Sequence, residues 1–207
     1  MKRSFLLLCL MGLFYQAQAQ TQIGVKISPM LSVNRVASDD NNISATSDGV
    51  GFRASFGPIV DFFLMENYYF STGLLYTPKR AGITIRDSGI EQSEDYKLQY
   101  LQLPATLKMF TNELALDTRL YFQVGGIPEI KIDEKNTSGD TFVRKFRAID
   151  FSVIAGFGVE YRLGVSSTAF AGISYSRGLI NAASKRYENH DFKLKHDLIS
   201  LDFGLKF

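Results

Sequence analysis

The sequence predicts an all-β chain: an eight-stranded antiparallel up-and-down barrel that spans a membrane. Three observations predict it. Blocks of roughly ten residues alternate apolar and polar side chains with period two. The connections between blocks are alternately short and long. Charged residues gather on one face of the blocks and leave the other apolar. No apolar run reaches the about eighteen residues that a spanning helix needs, so a chain of this kind crosses hydrocarbon only as a closed barrel. The balance of 45% hydrophobic residues and a mean hydropathy of -0.02 suits strands with one apolar and one polar face.

The first residues form a separate element. Lys2 and Arg3 precede an apolar run from Phe5 to Tyr15, and Ala17-Gln18-Ala19 supplies small residues where a signal peptidase reads. This predicts a secretory signal over 1–19, cut after Ala19, and a barrel domain over 20–207. The run is too short for a spanning helix. Cys9, the one cysteine of the 207 residues, lies inside it. The mature chain therefore has no disulfide, thiolate nucleophile or cysteine metal ligand. Lys2 and Arg3 also account for the formal charge of +2. A neutral remainder without a basic run gives no reason to expect a nucleic-acid partner.

The eight blocks lie near 22–34, 51–63, 69–80, 97–110, 118–132, 149–163, 167–179 and 195–207. The connections after the second, fourth and sixth are short: Leu64 to Asn67, Thr111 to Asp117, and Gly164 to Ser166. Those after the first, third, fifth and seventh are long and polar, as in Ser38 to Asn42 and Glu134 to Asp140. Tight turns at one end and longer loops at the other are the asymmetry of outer-membrane barrels.

Alternate side chains of a strand face opposite sides. Block six sets Phe151, Val153, Ala155, Phe157, Val159, Tyr161 and Leu163 against Asp150, Ser152, Ile154, Gly156, Gly158, Glu160 and Arg162. Block eight sets Ile199, Leu201, Phe203 and Leu205 against Ser200, Asp202, Gly204 and Lys206. The other blocks repeat the pattern, and the apolar face is expected to carry no charge. A soluble ligand carrier of lipocalin type would show the same alternation turned inside out. Glycine and serine on the polar face suit a narrow barrel's interior, and these strands carry fewer lysines and glutamates than soluble exteriors do. Aromatic residues crowd the short-turn end (Phe62, Phe63, Tyr68, Tyr69, Phe70, Phe110, Tyr161 and Phe207) and are expected to form an interfacial girdle. The apolar face is therefore expected to meet outer-membrane lipid.

Buried charges must be paired or solvated. The expected interior network brings Lys26, Arg53, Lys108, Arg119, Arg162 and Lys206 to Asp61, Glu129, Asp150, Glu160 and Asp202. It is expected to fill the barrel structurally, since eight strands leave room for side chains and little else. The alternative is a narrow pore for small solutes.

Catalytic signals are sparse. The only histidines, His190 and His196, each precede an aspartate in or beside the last long loop. They are the sole motivation for a lipid-modifying enzyme, and no serine, Ser184 and Ser200 included, is singled out by spacing. Gly156-Phe157-Gly158 is followed by no helix start, so it is not a phosphate loop. The sequons at Asn42 and Asn136 carry no weight in a bacterial export context. The chain is expected to be no enzyme and to hold no cofactor or metal.

Tyr100-Leu101-Gln102-Leu103-Pro104-Ala105-Thr106-Leu107-Lys108 and Tyr121-Phe122-Gln123-Val124-Gly125-Gly126-Ile127-Pro128, with the opening Ile23-Gly24-Val25-Lys26 and the signal, resemble the PorT-like outer-membrane β-barrel proteins of Gram-negative bacteria. The family's strands read YLxLPxxLK and YxxxGxxP. The resemblance covers nearly all the mature chain. It implies an outer-membrane location; the filled interior and the long polar loops at one end predict a membrane anchor or binding scaffold. Its most specific form is accessory service to a secretion system that exports proteins across the outer membrane, with a secretion-system or cell-envelope protein as partner. The ending Leu201 to Phe207 resembles the C-terminal strand that the barrel-assembly machinery recognises during biogenesis.

Overall fold

The computed structural model describes residues 21–38, 44–47, 49–87, 90–136, 143–186 and 192–207. The expected signal peptide and the segment holding His190 lie outside them. The strands are β1 (Gln22–Ser38), β2 (Ser44–Ser47), β3 (Val50–Met65), β4 (Tyr68–Gly73), β5 (Leu75–Asp87), β6 (Ile90–Gln102), β7 (Ala105–Phe110), β8 (Thr118–Asn136), β9 (Val143–Phe146), β10 (Ile149–Arg162), β11 (Thr168–Gly178), β12 (Ala183–Arg186) and β13 (Phe192–Lys206).

Antiparallel pairings run β1–β3–β4–β7–β8–β10–β11–β13 and return to β1, so the sheet closes on itself. The seam between the first and last strands is zipped to its end, where Phe207 N–H donates to Ile23 O at 2.8 Å. β4 and β5 form one track interrupted at Leu74, and β6 and β7 another interrupted at Leu103–Pro104. Cross-strand bonds hold both breaks, from Leu74 N–H to Pro58 O and from Leu103 N–H to Pro128 O, each 3.0 Å. Closure leaves no free edge around the ring.

The short turns come from local chemistry. Glu66–Asn67 joins β3 to β4, and Asn67 takes the left-handed conformation at φ 64° that asparagine tolerates better than most residues. At the other end β5 and β6 stay paired to Asp87↔Ile90. The connection expected as a long loop after block three is thus largely strand. Its sequence hides this because β6 opens on the polar run Glu91 to Asp95, where alternation stops, and the alternating Ile83-Thr84-Ile85 opposite is too short to mark a strand by itself.

One face of every ring strand points inward. In β10, Asp150, Ser152, Ile154 and Glu160 are buried while Phe151, Val153 and Phe157 are exposed. Two corrections follow. Phe110 and Tyr69 are not part of an outer aromatic girdle. They join Ile59, Leu75, Tyr121 and Phe170 in an apolar cluster inside the ring, because both stand at inward register positions. The outward face is not wholly free of charge either: Lys97, Lys195 and Asp197 occupy it near the loop end, beyond the apolar belt, while Arg80 of the same parity is packed against Gly49 and Gly51.

Interior glycines make room for the enclosed rings. A Cβ at Gly172 would stand 2.4 Å from the Tyr121 hydroxyl, and one at Gly204 2.4 Å from the Phe170 ring. Gly172→Val is expected to destabilise the protein by about 1–3 kcal/mol through overpacking. Chemical unfolding in detergent micelles measures it, and an unchanged midpoint would show that Tyr121 does not lie against that wall.

Candidate functional site

The inward face carries two ionic clusters separated by a cavity. In the short-turn half, Asp61 of β3 accepts from Lys108 of β7 (3.0 Å) and Lys206 of β13 (2.9 Å). Lys206 also reaches Glu160 of β10 at 2.5 Å, and Glu160 accepts from Arg119 of β8 at 3.2 Å. Alternation turns each of these side chains inward, and the closed ring brings five strands to one place.

This chain of contacts has three cations and two carboxylates. Aromatic faces balance the remaining positive charge. The Arg119 guanidinium lies 4.0 Å from the Phe110 ring centre. Lys108 is 5.5 Å from the Tyr121 and Phe170 rings, and Lys206 is 5.5 Å from Phe110. Cations at such distances are attracted by the ring quadrupole, more strongly where water is excluded. Rings and charges together stop the short-turn end.

In the loop half, Lys79 donates to Glu129 at 2.5 Å and lies 4.0 Å from Asp150 and 4.6 Å from the Tyr100 ring centre. Ser152 Oγ donates to the other oxygen of Glu129 at 2.7 Å. His196 is buried on the inward face of β13 and meets Asn34 at 3.0 Å; it belongs to the barrel interior, not to the last loop. Above it Phe146 of β9 stacks edge-on against Tyr96 at 5.0 Å. The β9–β12 pair thus lies over this mouth.

Between the clusters Lys26 pairs with Asp202 at 3.0 Å, and Ser28 Oγ donates to Asp202 at 2.7 Å. The adjoining cavity measures about 50 Å³ and has a mixed lining, in which Ser55, Gln123, Ser174 and Ser200 alternate with apolar groups such as Met30 and Ile127. A space of this size with polar groups in its wall holds a few water molecules. Among the described residues no three histidine, aspartate or glutamate side chains converge as metal ligands would.

Of the expected network, the structure brings Lys26, Asp61, Lys108, Arg119, Glu129, Asp150, Glu160, Asp202 and Lys206 into these contacts. Arg53 and Arg162 stand apart. Arg53 bonds the carbonyl of its neighbour Phe52 at 2.9 Å. Arg162, at the end of β10, is exposed and faces Glu113 and Asp117 of the turn region at 3.8 and 3.6 Å, because the strand has already reached the mouth. Lys79 was missed, although it shares the parity of Ser71, Gly73 and Thr77 on the polar face of its block.

Removing one partner of a buried pair strands the other, which costs about 3–5 kcal/mol. Asp61→Asn strands Lys108 and leaves Lys206 with Glu160 alone, and is expected to lower stability by about that amount. Asp202→Asn is expected to cost less, because Lys26 keeps 14% of its side chain exposed. Urea unfolding of both variants in lipid vesicles would compare them, and equal midpoints would contradict the arrangement.

The comparisons with known proteins agree with this architecture. OprG of Pseudomonas aeruginosa superposes with a TM-score of 0.57 at 15% identity, over 89% of this chain and 95% of that one. Neisserial surface protein A gives 0.49 at 14% identity, over 90% and 97%. The OprG likeness, at such identity, speaks to fold alone. No curated protein matches the sequence. The family model described as "Outer membrane protein beta-barrel domain" matches residues 15–184. The chain is therefore an outer-membrane β-barrel protein and belongs to that family.

Proposed function

We propose that the protein is an eight-stranded up-and-down transmembrane barrel, exported by a cleaved signal peptide, whose filled interior makes it a non-enzymatic membrane anchor and binding scaffold. The observation that carries this is the stopped interior. The Lys108–Asp61–Lys206–Glu160–Arg119 chain occupies one half, and Lys79, Glu129 and Tyr100 occupy the other. A barrel filled in this way has its contact surfaces outside. The β5–β6 hairpin and the β9–β12 pair extend beyond the ring at the loop end, where a cell-envelope partner would dock.

The resemblance to PorT-like proteins supports a more specific form, accessory service to a protein-secretion apparatus. The expected outcome of deleting the gene is that cargo proteins accumulate in the periplasm; unchanged secretion removes this form and leaves the anchor.

One observation favours a second reading, a narrow pore: the cavity of about 50 Å³ between the clusters. Planar-bilayer recording separates the two. The filled barrel is expected to give no sustained conductance, and large stable openings would overturn it. A lipid-modifying reading rests on His190 alone, since His196 is enclosed.

A further inference from the structure

The outward face at the loop-side rim sets cations opposite cations. Arg80 of β5 is in register with Lys97 of β6, and Lys97 with Lys135 of β8. Three neighbouring tracks thus place one positive charge each in a row. Directly opposed residues on one face of a sheet have Cβ atoms about 5 Å apart, and like charges there repel. Arg80 is held by Asp95 at 2.7 Å. Lys97 and Lys135 are exposed and have no ion-pair or hydrogen-bond partner among the described residues. Asp133, on the outward face of β8, takes its hydrogen bond from Gln99 at 3.2 Å.

Position says what would relieve this repulsion. On the same tracks the apolar wall ends at Leu101 and Ile132, four residues from Lys97 and three from Lys135. At 3.3 Å per residue that is about 10–13 Å along tilted strands, and less in height. The polar layer of one leaflet is about 5–8 Å thick. Lysine stems are long enough to bring their ammonium groups back to that layer. Two unpaired ammonium groups side by side match a dianion better than a monoanion, and a phosphomonoester carries about −1.5 to −2 at neutral pH. Its oxygens can accept charge-assisted bonds from both lysines at once.

We propose that Lys97 and Lys135 form a binding site for the phosphomonoester headgroup of a membrane lipid in the loop-side leaflet. The site rests on the reading that the outward face meets lipid.

The test uses the full chain in phosphatidylcholine nanodiscs containing equal small amounts of phosphatidic acid, a monoester, and phosphatidylglycerol, a diester. Native mass spectrometry counts the lipids retained with the released protein. Wild type is expected to enrich phosphatidic acid over phosphatidylglycerol by about tenfold. In the K97Q/K135Q variant the two lipids are expected to be retained equally. The Arg162→Gln variant, which removes an exposed cation at the opposite end, is expected to behave as wild type. No preference in wild type, a preference surviving K97Q/K135Q, or an equal loss in Arg162→Gln would overturn the site. Displacement of bound phosphatidic acid by soluble glycerol phosphate would overturn the lipid as its occupant. Failure to enter nanodiscs at all would instead overturn the membrane-spanning reading.

Discussion

A backbone that crosses hydrocarbon as strands can leave no N–H or C=O without a partner. That constraint is met by the pairing of β1 with β13, and most of the molecule depends on it. Once the ring closes, each strand has an outside that must tolerate lipid and an inside too narrow for bulk water. The polar half of every alternating pair is committed to the interior. There the cost of desolvating ions is offset only if each finds an opposite charge, a hydroxyl or an aromatic face. The Asp61 and Glu129 clusters are that requirement met at two levels of one enclosed space.

The interior is also packed unevenly. The short-turn half combines rings with ions and lays Tyr121 and Phe170 against glycines in the wall. The middle mixes small hydroxyl side chains with apolar ones and keeps a cavity of about 50 Å³. The loop half relies on one lysine between two acids and a tyrosine face, with Phe146 over the mouth. The resulting charge is slightly positive at one level and slightly negative at the other. Lys26 and Asp202 bridge the stretch between them.

The strand tracks were legible in the sequence wherever one face met an apolar medium, since alternation has a physical cause there. In β10 the division between Phe151 and Asp150 is complete. Legibility ended where alternation stopped, over Glu91 to Asp95, and so the paired extension of β5 and β6 reads as loop. Inward aromatics were also obscured. Phe110 and Tyr69 look like girdle residues from their place near a turn, and only register assigns them to the core. Arg162 and Glu160 share a parity, but a single step along β10 separates an enclosed carboxylate from an exposed guanidinium. Pairing partners were beyond the sequence altogether, because which cation meets Asp61 depends on strand tilt and ring closure.

The Asp61 cluster draws on parts of the chain that are far apart in synthesis. Lys206 stands 145 residues from Asp61 and 46 from Glu160, and it arrives with the last strand. Until that strand docks, both carboxylates lack one of their cations, and a partly assembled sheet would carry raw charge into the bilayer. Ring closure and completion of the Asp61 cluster are thus one event: the strand that zips the seam also carries the ammonium group that Asp61 and Glu160 share.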